Sequence, residues 1–117
     1  MLLKFSKEFT TYIGVDLNNI YIYPGINFFT DTEAKLLNSC QFFKDRLKTG
    51  FFEIVKTPDG SLNSLPENEL IALFEDIHVT SVLRKIIECD QRSKVIIFAN
   101  ERIKEIIGDK KNDLEIK

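Results

Sequence analysis

The spacing of apolar and polar positions changes character along the chain. Between Asn19 and Tyr23, Ile20 and Ile22 alternate with Tyr21 and Tyr23, the period of two expected of a strand with one buried face. Pro24-Gly25 follows and suits the two central positions of a type II turn. Such a turn lacks the twist that tight hairpins favour, so the spacing predicts a corner or a looser hairpin, with Ile26 to Phe29 continuing extended. Leu2–Phe5 and Phe9–Val15 read as strands on weaker alternation. Thr30-Asp31-Thr32-Glu33 then has the form of a capping box. Leu36, Leu37, Cys40, Phe43 and Leu47 recur at helical spacing behind it and predict one helix over residues 31–48 with a single buried stripe. Gly50 suits the left-handed position after a helix end, and Phe51 to Val55 reads as a short apolar strand.

A turn-rich stretch, Thr57-Pro58-Asp59-Gly60-Ser61-Leu62-Asn63-Ser64, separates this half from one that reads as all helix. Ser64-Leu65-Pro66-Glu67 again has capping-box form, with Leu70, Ile71, Phe74 and Ile77 as an inner face. Thr80 is placed to cap a helix carrying Leu83, Ile86 and Ile87. Asp90 is placed to cap a third, in which Ile96, Ala99, Ile103 and Ile106 share one face and Gly108 marks the end. The expected fold is α+β: a small antiparallel or mixed sheet crossed by one helix, then a three-helix C-terminal unit. The expected organisation is a strand–helix–strand unit at 1–57, a linker at 58–65, a helical unit at 66–107 and a flexible tail at 108–117. Residues 1–12 and 108–117 are candidates for ends that order on assembly.

Composition narrows the class of function. The chain has 117 residues, enough for one core without disulfide or metal support. Its net charge of −2 excludes a generally basic nucleic-acid coat. Residues 1–57 carry seven Lys/Arg against six Asp/Glu, and residues 58–117 carry nine against twelve. No apolar run approaches the ~20 residues of a membrane span, and no export signal is readable at the start. Cys40 and Cys89 lie far apart on apolar stripes and read as buried free thiols.

Catalytic chemistry has little to stand on. His78 is the single histidine and falls at the join of two expected helices, outside any metal-ligand spacing, so no metal site is expected. A Cys–His pair with Cys40 or Cys89 is set aside because apolar surroundings make a thiol inert. The five glycines stand alone, without GxGxxG or a P-loop, so no cofactor is expected either. Paired carboxylates such as Glu75-Asp76 and Glu67/Glu69 read as a solvated helix face. Arg84, Lys85, Arg92 and Lys94 cluster around a helix–turn–helix, but Glu75, Asp76, Glu88 and Asp90 surround them, so nucleic acid is not the expected partner. Arg92 has a structural reading instead, tying two helix ends together through a carboxylate such as Asp90.

The adjacent rings Phe28-Phe29, Phe42-Phe43 and Phe51-Phe52 are the most unusual feature. Neighbours on a strand point to opposite faces, so both are buried only if the sheet is covered on both sides. Either the two halves sandwich the sheet, or one ring of each pair faces a partner. On the second reading Tyr21, Tyr23, Phe28, Phe29, Phe42, Phe51 and Phe52 are the candidate interface residues.

One stretch has a family likeness. Ile20-Tyr21-Ile22-Tyr23-Pro24-Gly25-Ile26-Asn27, a capped helix, then Phe43-Lys44 and Leu47-Lys48-Thr49-Gly50-Phe51-Phe52-Glu53-Ile54-Val55 resemble a pattern in small tailed-phage and prophage virion proteins. Ile77, Thr80, Leu83, Ile86, Asp90, Arg92, Val95 and Arg102-Ile103 are similar to a helical tail in such proteins. The resemblance implies a non-enzymatic structural or assembly protein of the head–tail connector or tail region. It further implies a homo-oligomer among other virion proteins, located in the virion and assembled in the bacterial host cytoplasm. It carries no catalytic residues across. The alternative kept open is a DNA-binding regulator using the helices of 66–107.

Overall fold

Leu2 faces one way from its strand and Leu3 and Phe5 the other, and all three are buried. A strand apolar on both faces belongs in the middle of a covered sheet, and β1 (Leu2–Phe5) is there. The computed structural model describes the backbone of residues 1–5, 15–17 and 20–115 and the side chains of residues 1–5 and 20–108. β2 (Val15–Leu17) and β3 (Ile20–Ile22) form an antiparallel ladder of their own. β4 (Gly25–Phe28) and β5 (Phe52–Val55) flank β1 in a three-stranded antiparallel sheet of order β4-β1-β5. Leu2 lies opposite Phe28 and Val55, and Phe5 opposite Gly25 and Phe52. The class is α+β, as expected. Of the strand expected over residues 9–15, only Val15 lies among the described residues.

Alternation decides what covers each face. Leu2, Ile26 and Phe28 pack with Leu70, Phe74, Ile77, Leu83, Ile86 and Val95 from the helical half. Leu3, Phe5 and Phe52 pack on the other face with Ile22, Phe29, Leu37, Phe43 and Phe51. The two halves therefore sandwich the sheet and share a core. The first five residues, expected among the ends that order on assembly, form its first strand, and the Met1 amine donates to the Phe29 carbonyl at 2.7 Å.

Residues 31–48 form two helices, α1 (Asp31–Asn38) and α2 (Gln41–Lys48), where the spacing predicts one. The break has a local cause. The Ser39 hydroxyl donates to the Leu36 carbonyl at 2.7 Å, and the Cys40 amide reaches Leu37 in a tightened turn. Cys40 is then extended, which resets the helical phase. Leu37 is buried in place of Leu36, and Phe43 is buried while Phe42 turns outward. The Thr30 capping box forms as expected: Glu33 N–H donates to Thr30 Oγ1 at 3.3 Å and Thr30 N–H donates to Glu33 Oε1 at 3.0 Å. Thr30→Ala should cost about 1 kcal/mol of stability, read as a lower urea midpoint; an unchanged midpoint would show that tertiary packing alone holds α1.

The helical half contains α3 (Glu67–Leu73), α4 (Thr80–Cys89) and α5 (Ser93–Glu115). Its caps differ from those the sequence predicts. Ser64 does not cap α3; it sits in a 3-10 turn, donates to the Ser61 carbonyl and accepts from the Asp59 amide, leaving Pro66 at the helix entry. Thr80 is the first residue of α4, whose cap position is Val79. α5 does not stop at Gly108: the backbone stays helical to Glu115, because Gly108 takes no left-handed conformation. Gly50 and Gly60 do, with φ of +79° and +85°.

Candidate protein-interaction surface

The sandwich removes four of the seven candidate interface residues from the surface. Phe28, Phe29, Phe51 and Phe52 are core residues, because both faces of the sheet are covered by this chain itself. Tyr21 and Phe42 are exposed, and Tyr23 is half-buried.

The two tyrosines come together. β3 sends Ile20 and Ile22 into the core, which leaves Tyr21 on the outer face. Tyr23, two residues on, returns to the same side, and the two ring centroids lie 4.5 Å apart at 48°. Pro24 from the corner and His78 and Val79 from the lead-in to α4 complete a shallow apolar concavity of about 460 Å³. His78 is exposed, as expected of a loop histidine.

Two residues fix this corner, and sequence reasoning missed the role of one. Asn27 is fully buried. Its Oδ1 accepts from the Tyr23 amide at 2.9 Å and its Nδ2 donates to the Tyr23 carbonyl at 2.9 Å. The side chain thus satisfies backbone groups that the chain's departure from the β2–β3 ladder leaves unpaired. The visible signal was an amide two residues after Pro-Gly, inside an apolar strand. Gly25, at φ +95°, forms a bridge to Ile77 and so brings the aromatic corner against the helical half.

Phe42 forms a second exposed ring, on α2. The Arg46 guanidinium lies 4.5 Å from its centroid and 5.4 Å from that of Phe51. Leu36, expected on the buried stripe, is exposed, and Ile54, Ile97, Phe98 and Ile107 are further exposed apolar side chains. Ile97 and Phe98 fall outside the stripe of Val95, Ala99 and Ile103 that faces the core.

Three of the four cations grouped around the α4–α5 join, Lys85, Arg92 and Lys94, are engaged within the chain, while Arg84 is exposed. Lys85 Nζ donates to Glu33 Oε1 at 3.0 Å and to the Phe28 carbonyl at 3.2 Å, pinning α4 to α1 and β4. Burial pushes the Glu33 carboxyl up, but the Thr30 amide and Lys85 outweigh it and hold the group below its ordinary range. Lys94 donates to Asn68 Oδ1 at 2.7 Å. Arg92 pairs with Asp90 at 2.7 Å, the helix-end tie that the sequence suggested. Cys40 is half-buried and Cys89 exposed; both are free thiols, and Cys89 departs from the buried setting expected of it because it ends α4 facing outward. Among the described residues, no three His, Cys, Asp or Glu side chains stand close enough to share a metal ion, and no helix is long and apolar enough to cross a membrane.

No protein-family model matches the chain, and no curated protein or solved structure matches it either.

Proposed function

We propose that the chain is a non-enzymatic structural or assembly protein of a tailed-phage or prophage particle, working through protein–protein contacts in a multi-copy assembly. The observation that carries this reading is the exposed aromatic corner of Tyr21, Tyr23, Pro24 and Val79, held on a rigid scaffold. Ring pairs beside a proline offer large contact area at low entropic cost, as protein interfaces favour. The likeness of residues 20–55 to virion proteins supports the same reading. Its Pro-Gly-x-Asn element builds the corner: Gly25 turns the chain and Asn27 holds it.

The test is genetic and biochemical. Deleting the coding sequence from its own genome should abolish infectious particles, and mass spectrometry of purified particles should find the chain in many copies. Full infectivity without it, together with its absence from particles, would end the proposal. A local prediction accompanies this. Tyr21→Ser should cost about 1 kcal/mol through the lost ring pair with Tyr23, leaving the chain folded while lowering incorporation into particles. Normal incorporation would remove the corner from the contact surface.

A further inference from the structure

Resting on that reading, we infer that α2 of one copy docks head-to-tail on the acidic α3 region of a second copy, with Arg46 and Phe42 at the centre of the contact. Three observations point to this occupant. The first is charge segregation. Residues 35–48 contain four basic side chains, Lys35, Lys44, Arg46 and Lys48, and one acid, Asp45. Residues 59–76 contain five acids, Asp59, Glu67, Glu69, Glu75 and Asp76, and no Lys or Arg. One chain thus carries both halves of a complementary pair on separate elements.

The second observation is the state of Arg46. It makes no ion pair among the described residues, and its guanidinium lies against the faces of Phe42 and Phe51. Stacking fixes the plane of the group and leaves its edge donors available, the arrangement suited to receiving a carboxylate. Asp45, the acid beside it, accepts from Gln41 Nε2 at 2.9 Å. The third is the availability of the receiving face. Glu69 and Glu75 are exposed and make no side-chain ion pair among the described residues, with exposed Ala72 between them. Lys94 and Arg102, two basic groups beside this face, donate to Asn68, to backbone carbonyls and to Glu105.

α2 packs on the sheet face bearing Phe5 and α3 on the face bearing Phe28, so the two patches lie on opposite sides of the sheet and the contact is heterologous. It propagates from copy to copy and gives a ring or an open chain in place of a closed dimer. Exposed charge is screened by salt, so the contact weakens as ionic strength rises.

Sedimentation velocity of the full chain, at low and high salt over a range of concentrations, tests this. The expected result is species larger than a dimer that grow with concentration and shrink at high salt. Arg46→Glu should leave a monomer, and so should the Glu69→Lys, Glu75→Lys double variant. Mixing these two variants should restore association, since each retains the surface the other has lost. Phe42→Ser should weaken association without changing charge, and circular dichroism melts establish that each variant is folded. A wild-type chain that stays monomeric throughout, or oligomers indifferent to Arg46→Glu, would overturn the inference. Either outcome leaves the assembly role standing if the chain is still found in particles; absence from particles removes that role whatever the sedimentation shows.

Discussion

Gly25→Ala should destabilise the fold by about 3 kcal/mol, the sum of two separate costs. The residue has φ +95°, where an L side chain costs roughly 1–2 kcal/mol. An added Cβ would also lie 2.1 Å from the Asp76 carbonyl oxygen and 2.9 Å from His78 Cδ2. The carbonyl is backbone, and neither side can easily move. Gly25 pairs with Phe5 in the sheet and bridges to Ile77, next to the 3-10 turn Phe74–Asp76. Overpacking of this kind costs roughly a further 1–3 kcal/mol. For a domain of this size the melting temperature should fall by about 12 °C. Gly60→Ala separates the two costs. Gly60 has φ +85°, with nothing within 4 Å of the added carbon, so only the conformational cost applies there. Calorimetric melts of both variants should differ by the cost of close approach. Equal losses would mean that the contact between corner and helical half relaxes freely.

That contact also shows where the sequence was legible and where it was not. Positions governed by neighbours in the chain were readable. The alternation at Ile20–Tyr23, the Thr30–Glu33 box and the left-handed Gly50 all depend on residues within one turn or one pleat. Positions governed by competition were not. Ser39 and Ser64 each had a helical reading, and each hydroxyl found a nearer backbone carbonyl instead. Gly108 stayed inside α5 because a single glycine weakens a long helix without ending it.

The candidate surface was legible only in part, for a similar reason. The adjacent phenylalanines allowed either a covered sheet or a partner-facing one, and nothing local decides between them. The decision came from residues 62–103, whose apolar side chains cover the face bearing Phe28, while Phe51 and Phe52 close over Phe5 on the other. What remained outside was Tyr21, by strand alternation, and Phe42, beside the buried stripe that holds Phe43. Both could be read from their periods; the exposure of Leu36 required knowing that Ser39 interrupts the helix.

Asp90→Ala should cost about 3 kcal/mol, the lower part of the range for breaking a buried ion pair, because Arg92 keeps partial access to water. Asp90 is fully buried, while a quarter of the Arg92 side chain is exposed. The carboxylate accepts from Arg92 Nε at 3.0 Å, from Nη2 at 2.7 Å and from the Arg92 amide at 3.1 Å. Arg92 Nη1 donates in turn to the Leu65 carbonyl at 2.8 Å. One carboxylate therefore joins the end of α4, the start of α5 and the segment entering α3. Its removal leaves a guanidinium without its counter-charge and three helix ends without their shared anchor. The pH dependence identifies the charge as the cause. Burial pushes the Asp90 carboxyl up, but the hydrogen bonds and charge of Arg92 outweigh it and hold the group below its ordinary value. A carboxyl lowered by folding contributes stability that is fully present above its unfolded value, near about 4, and is lost as pH falls through the folded value. Wild type should therefore exceed Asp90→Asn in stability at pH 7, and the gap should narrow steadily as pH falls below about 4. The two proteins differ at this one carboxyl, so the difference between them isolates Asp90. Urea denaturation of the pair from pH 7 to pH 2 measures it; a gap that stays constant over that range would show that Asp90 acts through shape and hydrogen bonding alone.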